Sequence, residues 1–130
     1  MQPYIIDFGK IGAINLGYIT FVENNMLPFS IKRVYWAYHS PQNLIRGNHA
    51  HRYLQQVVFA VNGQVDFNLE NTEGNTFNFT LNNPQQGLFI PEMYWRTFKM
   101  SENAVLLCLV SLEYDKDDYI KDYQIFKQNN

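Results

Sequence analysis

The sequence has little cysteine, little net charge and no long hydrophobic run. Its one cysteine, Cys108, excludes an internal disulfide framework and a zinc site built from several cysteines. Ten basic and twelve acidic residues give a net charge of −2. The chain therefore lacks the broad positive surface of a nucleic-acid-binding protein, although a local basic pocket is not excluded. The longest apolar run, residues 104–110, is far shorter than the roughly 18 residues that a membrane span needs.

The N-terminal segment also lacks the pattern of a signal peptide. Asp7 and Gly9 interrupt it, and no basic region is followed by an apolar core. We therefore expect a soluble cytoplasmic protein that contacts neither a membrane nor a nucleic acid.

Apolar and aromatic residues, in contrast, are plentiful. Hydrophobic residues make up 46% of the chain and aromatic residues 16%, which excludes an intrinsically disordered protein. A chain of 130 residues is expected to form one domain, residues 1–130. A domain of this size buries roughly two thirds of the surface that its unfolded chain exposes.

Short segments rich in Val, Ile, Phe and Tyr follow one another along the chain and predict strands. These segments are residues 31–38, 55–61, 64–69, 76–81, 87–90 and 105–110. The turns between them include Asn62-Gly63, Glu73-Gly74-Asn75 and Asn82-Asn83-Pro84. The Asn-Gly turn predicts a two-residue hairpin between its flanking strands. Because strands and helices do not alternate, we expect an all-β antiparallel sandwich or barrel.

Helical spacing occurs only near the C-terminus. Tyr119, Tyr123 and Phe126 follow the acidic stretch 115–118, whose carboxylates can cap the start of a helix. We therefore expect a short C-terminal helix or a packed tail.

Two of the three histidines lie two residues apart in the segment 46–52. On an extended chain His49 and His51 project from one face and Ala50 from the other. Imidazole, with an ordinary pKa of about 6.5, suits proton transfer near neutral pH. The pair is either two surface imidazoles on an edge strand or an acid–base pair inside a barrel. The third histidine, His39, precedes Pro41 in a loop-like stretch and is expected to be solvated.

The same pair could begin a metal site. Metal-binding cupin barrels add a carboxylate a few residues later and a third histidine on a later strand. Here Gln55 and Gln56 occupy the carboxylate region, and residues 87–96 contain no histidine. Amide oxygens are poor ligands for transition metals, and Glu92 lies beside Pro91 in an expected turn. We therefore predict that no metal is bound here.

Further polar side chains could complete a pocket around the histidines. Arg33 and Tyr35 lie on one face of a predicted strand, where they could bind an anion and hydrogen-bond a sugar oxygen. The alternative is an edge strand with a solvated face. Trp95 and Arg96 follow the turn at Pro91 and are candidates for the mouth of the pocket, although core packing explains Trp95 equally well.

Four blocks of sequence together resemble the WxcM-like cupins, and among them the dTDP-4-keto-6-deoxyglucose 3,4-ketoisomerases. The blocks are Ile31-Lys32-Arg33-Val34-Tyr35, Arg46-Gly47-x-His49-Ala50-His51, Gly87-Leu88 with Pro91 and Trp95, and Tyr114-Asp115-x-x-Asp118-Tyr119-Ile120-Lys121-x-Tyr123. Their order is specific, and the resemblance extends over nearly the whole chain.

The resemblance implies a cupin-type antiparallel β-barrel, or jelly roll, and a homodimer with exchanged strands. It implies a sugar 3,4-ketoisomerase that converts dTDP-4-keto-6-deoxy-D-glucose to a dTDP-3-keto-6-deoxyhexose through an enediol, without a metal. Because this isomerisation is redox-neutral overall, we expect no cofactor. Such products feed the synthesis of 3-amino-3,6-dideoxy sugars for surface polysaccharides. Arg96 replaces a common histidine of the family and Lys121 a common arginine, and we expect neither to touch the histidine pair.

The resemblance also assigns site residues. The expected catalytic residues are His49, His51, Tyr35 and Arg46. Apart from the resemblance, the predicted pocket makes Arg33, Gln56, Trp95 and Arg96 the expected substrate-binding residues. We expect His49 to be the base at the sugar carbons and His51 its partner, and the reverse assignment stays open. The alternatives for the whole protein are a keto-sugar epimerase, a metal-dependent cupin oxygenase and a non-catalytic sugar-binding cupin.

Overall fold

Strands dominate residues 1–129, which the computed structural model describes. The strands are β1 (Tyr4–Asp7), β2 (Ile11–Ala13), β3 (Gly17–Ile19), β4 (Arg33–Ala37), β5 (Arg46–His51), β6 (Gln56–Asn62), β7 (Val65–Glu70), β8 (Thr76–Leu81), β9 (Gln86–Ile90), β10 (Trp95–Met100), β11 (Val105–Val110) and β12 (Tyr119–Ile120). The helix α1 covers Tyr123–Gln128, and 3₁₀ turns cover Asn24–Met26 and Lys116–Asp118. No helix in this part of the chain is long and apolar enough to cross a membrane.

Two five-stranded antiparallel sheets face each other across the core. The first has the order β1-β9-β6-β11-β4 and the second the order β12-β5-β10-β7-β8, while β2 and β3 form a separate hairpin. Val58 and Leu88 from the first sheet pack with Phe67 and Leu69 from the second in one buried cluster. The prediction of an all-β antiparallel jelly roll with a short C-terminal helix is confirmed.

The burial of each strand explains its sequence pattern. In β7, buried Val65, Phe67 and Leu69 alternate with exposed Asp66 and Asn68, because only one face of this strand meets the core. Strand β6 is instead a nearly continuous apolar run. Its outer face is covered by a second apolar cluster that includes side chains of the N-terminal segment.

The turn at Asn62-Gly63 does not form the predicted hairpin. Strand β6 pairs with β9 and β11, whereas β7 pairs with β8 and β10. The chain therefore crosses from one sheet to the other at this turn. Gly63 has a φ of +72°, and a Cβ there would lie 2.6 Å from Ser101 Oγ. The Asn-Gly pair marks a reversal of the chain, but it carries no information about which strands pair.

The C-terminal segment differs from the predicted helix at its start. Tyr119 lies in strand β12, which pairs with β5, and α1 begins only at Tyr123. The carboxylate of Asp122 caps α1 by accepting hydrogen bonds from two backbone amides, while Asp115 caps the 3₁₀ turn before β12. This arrangement packs Phe126 of α1 against the outer side of β5.

Candidate active site

A cavity of about 360 Å³ opens among side chains of both sheets. Its polar lining includes Arg33, Tyr35, Arg46, His49, Gln56 and Arg96. Every predicted site residue except His51 and Trp95 therefore lines this cavity. Arg33 and Tyr35 both line the cavity because side chains two residues apart on strand β4 point to the same face. The alternative for this strand also holds in part, since β4 is a sheet edge whose outer face exposes Trp36.

A bulge in β5 sets the position of His49. His49 pairs with Arg96 and Gly47 pairs with Thr97, so Asn48 is an extra residue in the ladder. Both bulge residues have left-handed backbone, with a φ of +89° at Gly47 and +56° at Asn48. Gly47 is required here because a Cβ would lie 2.7 Å from the Arg96 carbonyl oxygen.

The bulge also fixes the tautomer of His49. The Nδ1 atom lies 2.9 Å from the Gly47 carbonyl oxygen. A carbonyl can only accept, so Nδ1 carries the hydrogen and Nε2 is unprotonated. Burial, and then the positive charge of Arg96, lower the pKa of His49 to about 4. His49 is therefore a neutral imidazole near pH 7, able to accept a proton at Nε2.

His51 lies behind His49, away from the cavity lining. Its side chain is 1% exposed, and the two rings meet edge to face with centroids 4.9 Å apart. Its Nδ1 atom donates to Asp118 Oδ2 at 2.9 Å. Burial, and then the positive charge of Arg96, lower the pKa of His51. The shared face of His49 and His51, predicted from their spacing, is confirmed.

A chain of hydrogen bonds joins Arg96 to Tyr35. The Arg96 guanidinium donates to Gln56 Oε1, and Gln56 Nε2 donates to the Tyr35 hydroxyl at 3.3 Å. Burial raises the pKa of Tyr35, so its phenol stays protonated. Gln56 is the donor in this contact, so the Tyr35 hydroxyl keeps its own hydrogen for donation. Gln56 thus orients Tyr35 in addition to lining the cavity.

Cationic donors without protein partners point to an anionic ligand. The Nε and Nη2 atoms of Arg33 and the Nε atom of Arg96 are buried without a hydrogen-bond partner among residues 1–129. Arg46 also lines the cavity, and no carboxylate of the described chain does. Buried donors normally find partners, so the cavity suits a ligand with several acceptor oxygens.

Trp95 does not lie at the mouth of this cavity. Its ring packs on the opposite face of β10, 5.3 Å from the Tyr123 ring and 5.8 Å from the Phe126 ring. Strand alternation explains the correction, because Arg96 points into the cavity and its neighbour must point away. The core-packing alternative for Trp95 is therefore correct.

Two further residues of the site were missed by sequence reasoning. The Tyr119 ring lies 4.5 Å from that of His51 and 5.1 Å from that of His49, and it lines the cavity. Asp118 contacts His51 directly. Both lie in the stretch interpreted as the start of a helix, so their presence beside the histidines followed only from the pairing of β12 with β5.

Glu92, the remaining metal-ligand candidate, is engaged elsewhere. Its carboxylate accepts a hydrogen bond from Gln55 Nε2 at 2.7 Å. Within residues 1–129 no three His, Cys, Asp or Glu side chains are grouped so that they could hold a metal ion.

Comparison with known proteins decides the family. The family model described as "FdtA: WxcM-like, C-terminal" matches residues 1–130. This chain belongs to the WxcM-like family. It is 35% identical to the TDP-4-oxo-6-deoxy-alpha-D-glucose-3,4-oxoisomerase of Aneurinibacillus thermoaerophilus, over 98% of this chain and 92% of that protein.

Solved structures of WxcM-like relatives share the whole fold. The sugar 3,4-ketoisomerase QdtA from Thermoanaerobacterium thermosaccharolyticum, in complex with TDP, superposes with a TM-score of 0.92 and 34% identity, covering 98% of this chain and 93% of that chain. The TDP-quinovose 3,4-ketoisomerase WlaRB from Campylobacter jejuni gives a TM-score of 0.90 and 37% identity, covering 98% of each chain.

One departure from the WxcM-like pattern lies closer to the histidines than expected. Arg96 is buried, pairs with His49 across the sheet, and contributes to the lowered pKa of both His49 and His51. The expectation that neither departure touches the pair is therefore wrong for Arg96. Lys121 is exposed, and its ammonium group lies 5.6 Å from the centroid of the Tyr119 ring.

Proposed function

We propose that this protein is a TDP-sugar 3,4-ketoisomerase that converts TDP-4-keto-6-deoxyglucose to the 3-keto isomer. One observation carries the proposal: a neutral histidine, His49, faces a cavity that also holds a protonated phenol and unpartnered guanidinium donors. The related proteins named as 3,4-ketoisomerases support the same activity.

The reaction moves two protons and needs no oxidant. The C3 proton is acidic because C3 is adjacent to the C4 ketone, and a base that removes it leaves an enediolate. Protonation at C4, with transfer of a proton from the C3 oxygen to the C4 oxygen, then leaves the ketone at C3. The C–H bond broken at C3 is balanced by the one formed at C4.

Each step has a suitable group in the cavity. We assign the base to His49, because its Nε2 is unprotonated and its ring lines the cavity, whereas His51 lies behind it. The Tyr35 hydroxyl exchanges protons with the sugar oxygens. The buried charge of Arg96 lowers the free energy of the negatively charged enediolate.

The other cations suit the diphosphate of the substrate. Arg33 has two buried donors without a protein partner, and its guanidinium lies over the rings of Tyr35 and Tyr114 at 5.1 and 5.6 Å. Arginine donors in this arrangement match phosphate oxygens. Arg46 lines the same cavity and is assigned to the diphosphate or to the enediolate oxygens.

The proposed active form is a homodimer with exchanged strands. Strand β4 has a hydrogen-bonded neighbour on one side only and exposes Trp36, whose exposed fraction is 58%. The β2–β3 hairpin is separate from both sheets. It and its flanking residues expose large apolar side chains, namely Ile11, Ile14, Leu16 and Ile19. Open edges and apolar patches of this kind mark protein interfaces.

Light scattering at micromolar concentration tests the assembly. We expect a dimer mass for the native chain and a lower mass for Trp36→Lys. Leu44→Lys, which changes an exposed apolar residue outside these elements, serves as the control and keeps the dimer mass. A monomer mass for the native chain contradicts the proposed dimer.

Product analysis tests the activity. The enzyme is incubated with TDP-4-keto-6-deoxyglucose, and the product is followed by NMR. A ketone at C3 supports the proposal, and the signals at C4 then report its configuration. A ketone retained at C4 with an inverted neighbouring centre indicates an epimerase, and binding without turnover indicates a sugar-binding module; either result contradicts the proposal. A cytoplasmic location and a role in surface polysaccharide synthesis stay predictions.

A further inference from the structure

A buried carboxylate without a cationic partner in contact stands next to the histidine pair. The Asp118 side chain is 4% exposed. Its Oδ2 atom accepts from His51 Nδ1 at 2.9 Å, and its Oδ1 atom accepts from the backbone amide of Tyr53 at 2.8 Å. Burial of a charge is costly, so a carboxylate kept in such a place points to a function.

The backbone around Asp118 holds this carboxylate in place. Its carbonyl oxygen accepts from the Arg52 amide at 2.9 Å. Immediately after it, Tyr119 pairs with His51 in the β12–β5 ladder. The segment carrying Asp118 is thus fastened to the strand that carries His51, on both sides of the contact.

The two histidines receive the same tautomer from two different acceptors. The Gly47 carbonyl holds the hydrogen of His49 on Nδ1, and the Asp118 carboxylate holds that of His51 on Nδ1. Both Nε2 atoms are therefore left unprotonated. A carboxylate also stabilises an imidazolium that forms during proton transfer, which a carbonyl does less strongly.

We infer that Asp118 is a positioning residue that holds His51 in the Nδ1–H tautomer and supports proton exchange by the histidine pair during catalysis. The inference rests on the proposed ketoisomerase function. Asp118 does not line the cavity, so its effect on substrate passes through His51.

The substitution Asp118→Asn makes a specific change at this contact. The Tyr53 amide can only donate, so it retains the oxygen of the new side chain. The amide NH₂ group is then turned toward His51 Nδ1, which must become an acceptor. The hydrogen of His51 moves to Nε2, and the pair no longer presents two unprotonated Nε2 atoms.

The test combines ¹⁵N NMR of the histidine side chains with steady-state kinetics on TDP-4-keto-6-deoxyglucose. The chain has three histidines, so each is assigned by replacing the others singly. In the native protein we expect Nδ1–H on His51. In Asp118→Asn we expect Nε2–H on His51, a fall in kcat of roughly 10²–10⁴-fold, the size expected when a catalytic histidine is in the wrong tautomer or cannot transfer a proton, and a KM within a few-fold of the native value.

Asp117→Asn is the matched control, because this neighbouring carboxylate lies in the same turn and is exposed. It should retain native kcat and the native His51 tautomer. The inference is overturned by Nε2–H on His51 of the native protein, or by an Asp118→Asn variant that binds TDP and keeps kcat within about three-fold. If Asp118→Asn does not fold, the native tautomer alone decides. If the native protein has Nδ1–H on His51 but does not convert TDP-4-keto-6-deoxyglucose, the proposed function is contradicted, whereas the hydrogen bond between His51 and Asp118 is not.

Discussion

Replacement of Gly47 by alanine probes the bulge on which the active-site geometry depends. Gly47 has a φ of +89°, and its added Cβ would lie 2.7 Å from the Arg96 carbonyl oxygen and 3.2 Å from Arg96 Cγ. Neither neighbour can move easily, since Arg96 is fully enclosed and lies in the β10 ladder. The same glycine supplies the carbonyl that holds His49 Nδ1.

The expected loss has two parts. An L-residue in left-handed backbone costs roughly 1–2 kcal/mol, and displacement of a packed strand costs about 1–3 kcal/mol more. Gly74→Ala isolates the first part, because Gly74 has a φ of +92° and its Cβ would meet only the flexible end of Lys127, at 3.5 Å. Gly47→Ala should therefore lower the free energy of unfolding by more than Gly74→Ala does.

Activity separates the two variants further. A displacement of about 1 Å in a catalytic group can cost roughly 10²-fold in rate, so Gly47→Ala should lower kcat by about that factor while Gly74→Ala leaves it unchanged. Urea unfolding and steady-state kinetics on both variants provide the assay. Equal losses of stability together with native kcat for Gly47→Ala would refute the role given to the bulge.

Three further predictions concern protonation, packing and metal dependence. Because the pKa of His49 is about 4 when folded and about 6.5 when unfolded, the unfolded chain binds the extra proton first. His49 alone should therefore lower the free energy of unfolding by up to about 3 kcal/mol between pH 6.5 and 4. His49→Asn should remove this part of the pH dependence in denaturant titrations, while the part due to His51 stays; an unchanged pH dependence contradicts the shift. Phe126→Ala, at a fully buried ring, should cost about 3–5 kcal/mol in urea unfolding; a loss below about 1 kcal/mol contradicts the packing of α1 on β5. Exhaustive chelation should leave kcat unchanged, and a loss restored by one divalent metal contradicts metal-independent chemistry.

Local alternation was enough to predict much of the site. A period of two residues places Arg33 and Tyr35 on one face of β4 and His49 and His51 on one face of β5, and the structure shows both arrangements. The same rule holds wherever one face of a strand meets the core, because the direction of each side chain then depends only on its own strand.

Pairing between distant segments was not predictable in this way. The Asn62-Gly63 turn links two sheets because β6 pairs with β11 and β7 pairs with β8, and not with each other. Strand β10 was not predicted from the sequence. One of its inward-facing residues is the charged Arg96, which interrupts the alternation of apolar and polar residues that indicates a strand. Asp118 reaches His51 through the β12–β5 ladder across 67 residues of sequence, a contact that neither composition nor spacing reveals.

The kcat of His49→Asn is the most direct test of the central claim that His49 is the base. Asparagine keeps a polar side chain of modest size but cannot take up the proton, so the variant should fold and bind TDP within a few-fold of the native affinity. General acid–base catalysis contributes roughly 10²–10⁴-fold, and kcat on TDP-4-keto-6-deoxyglucose should fall by at least 10²-fold. A folded, TDP-binding His49→Asn variant with near-native kcat would contradict the account. The base would then have to be His51 or Tyr35.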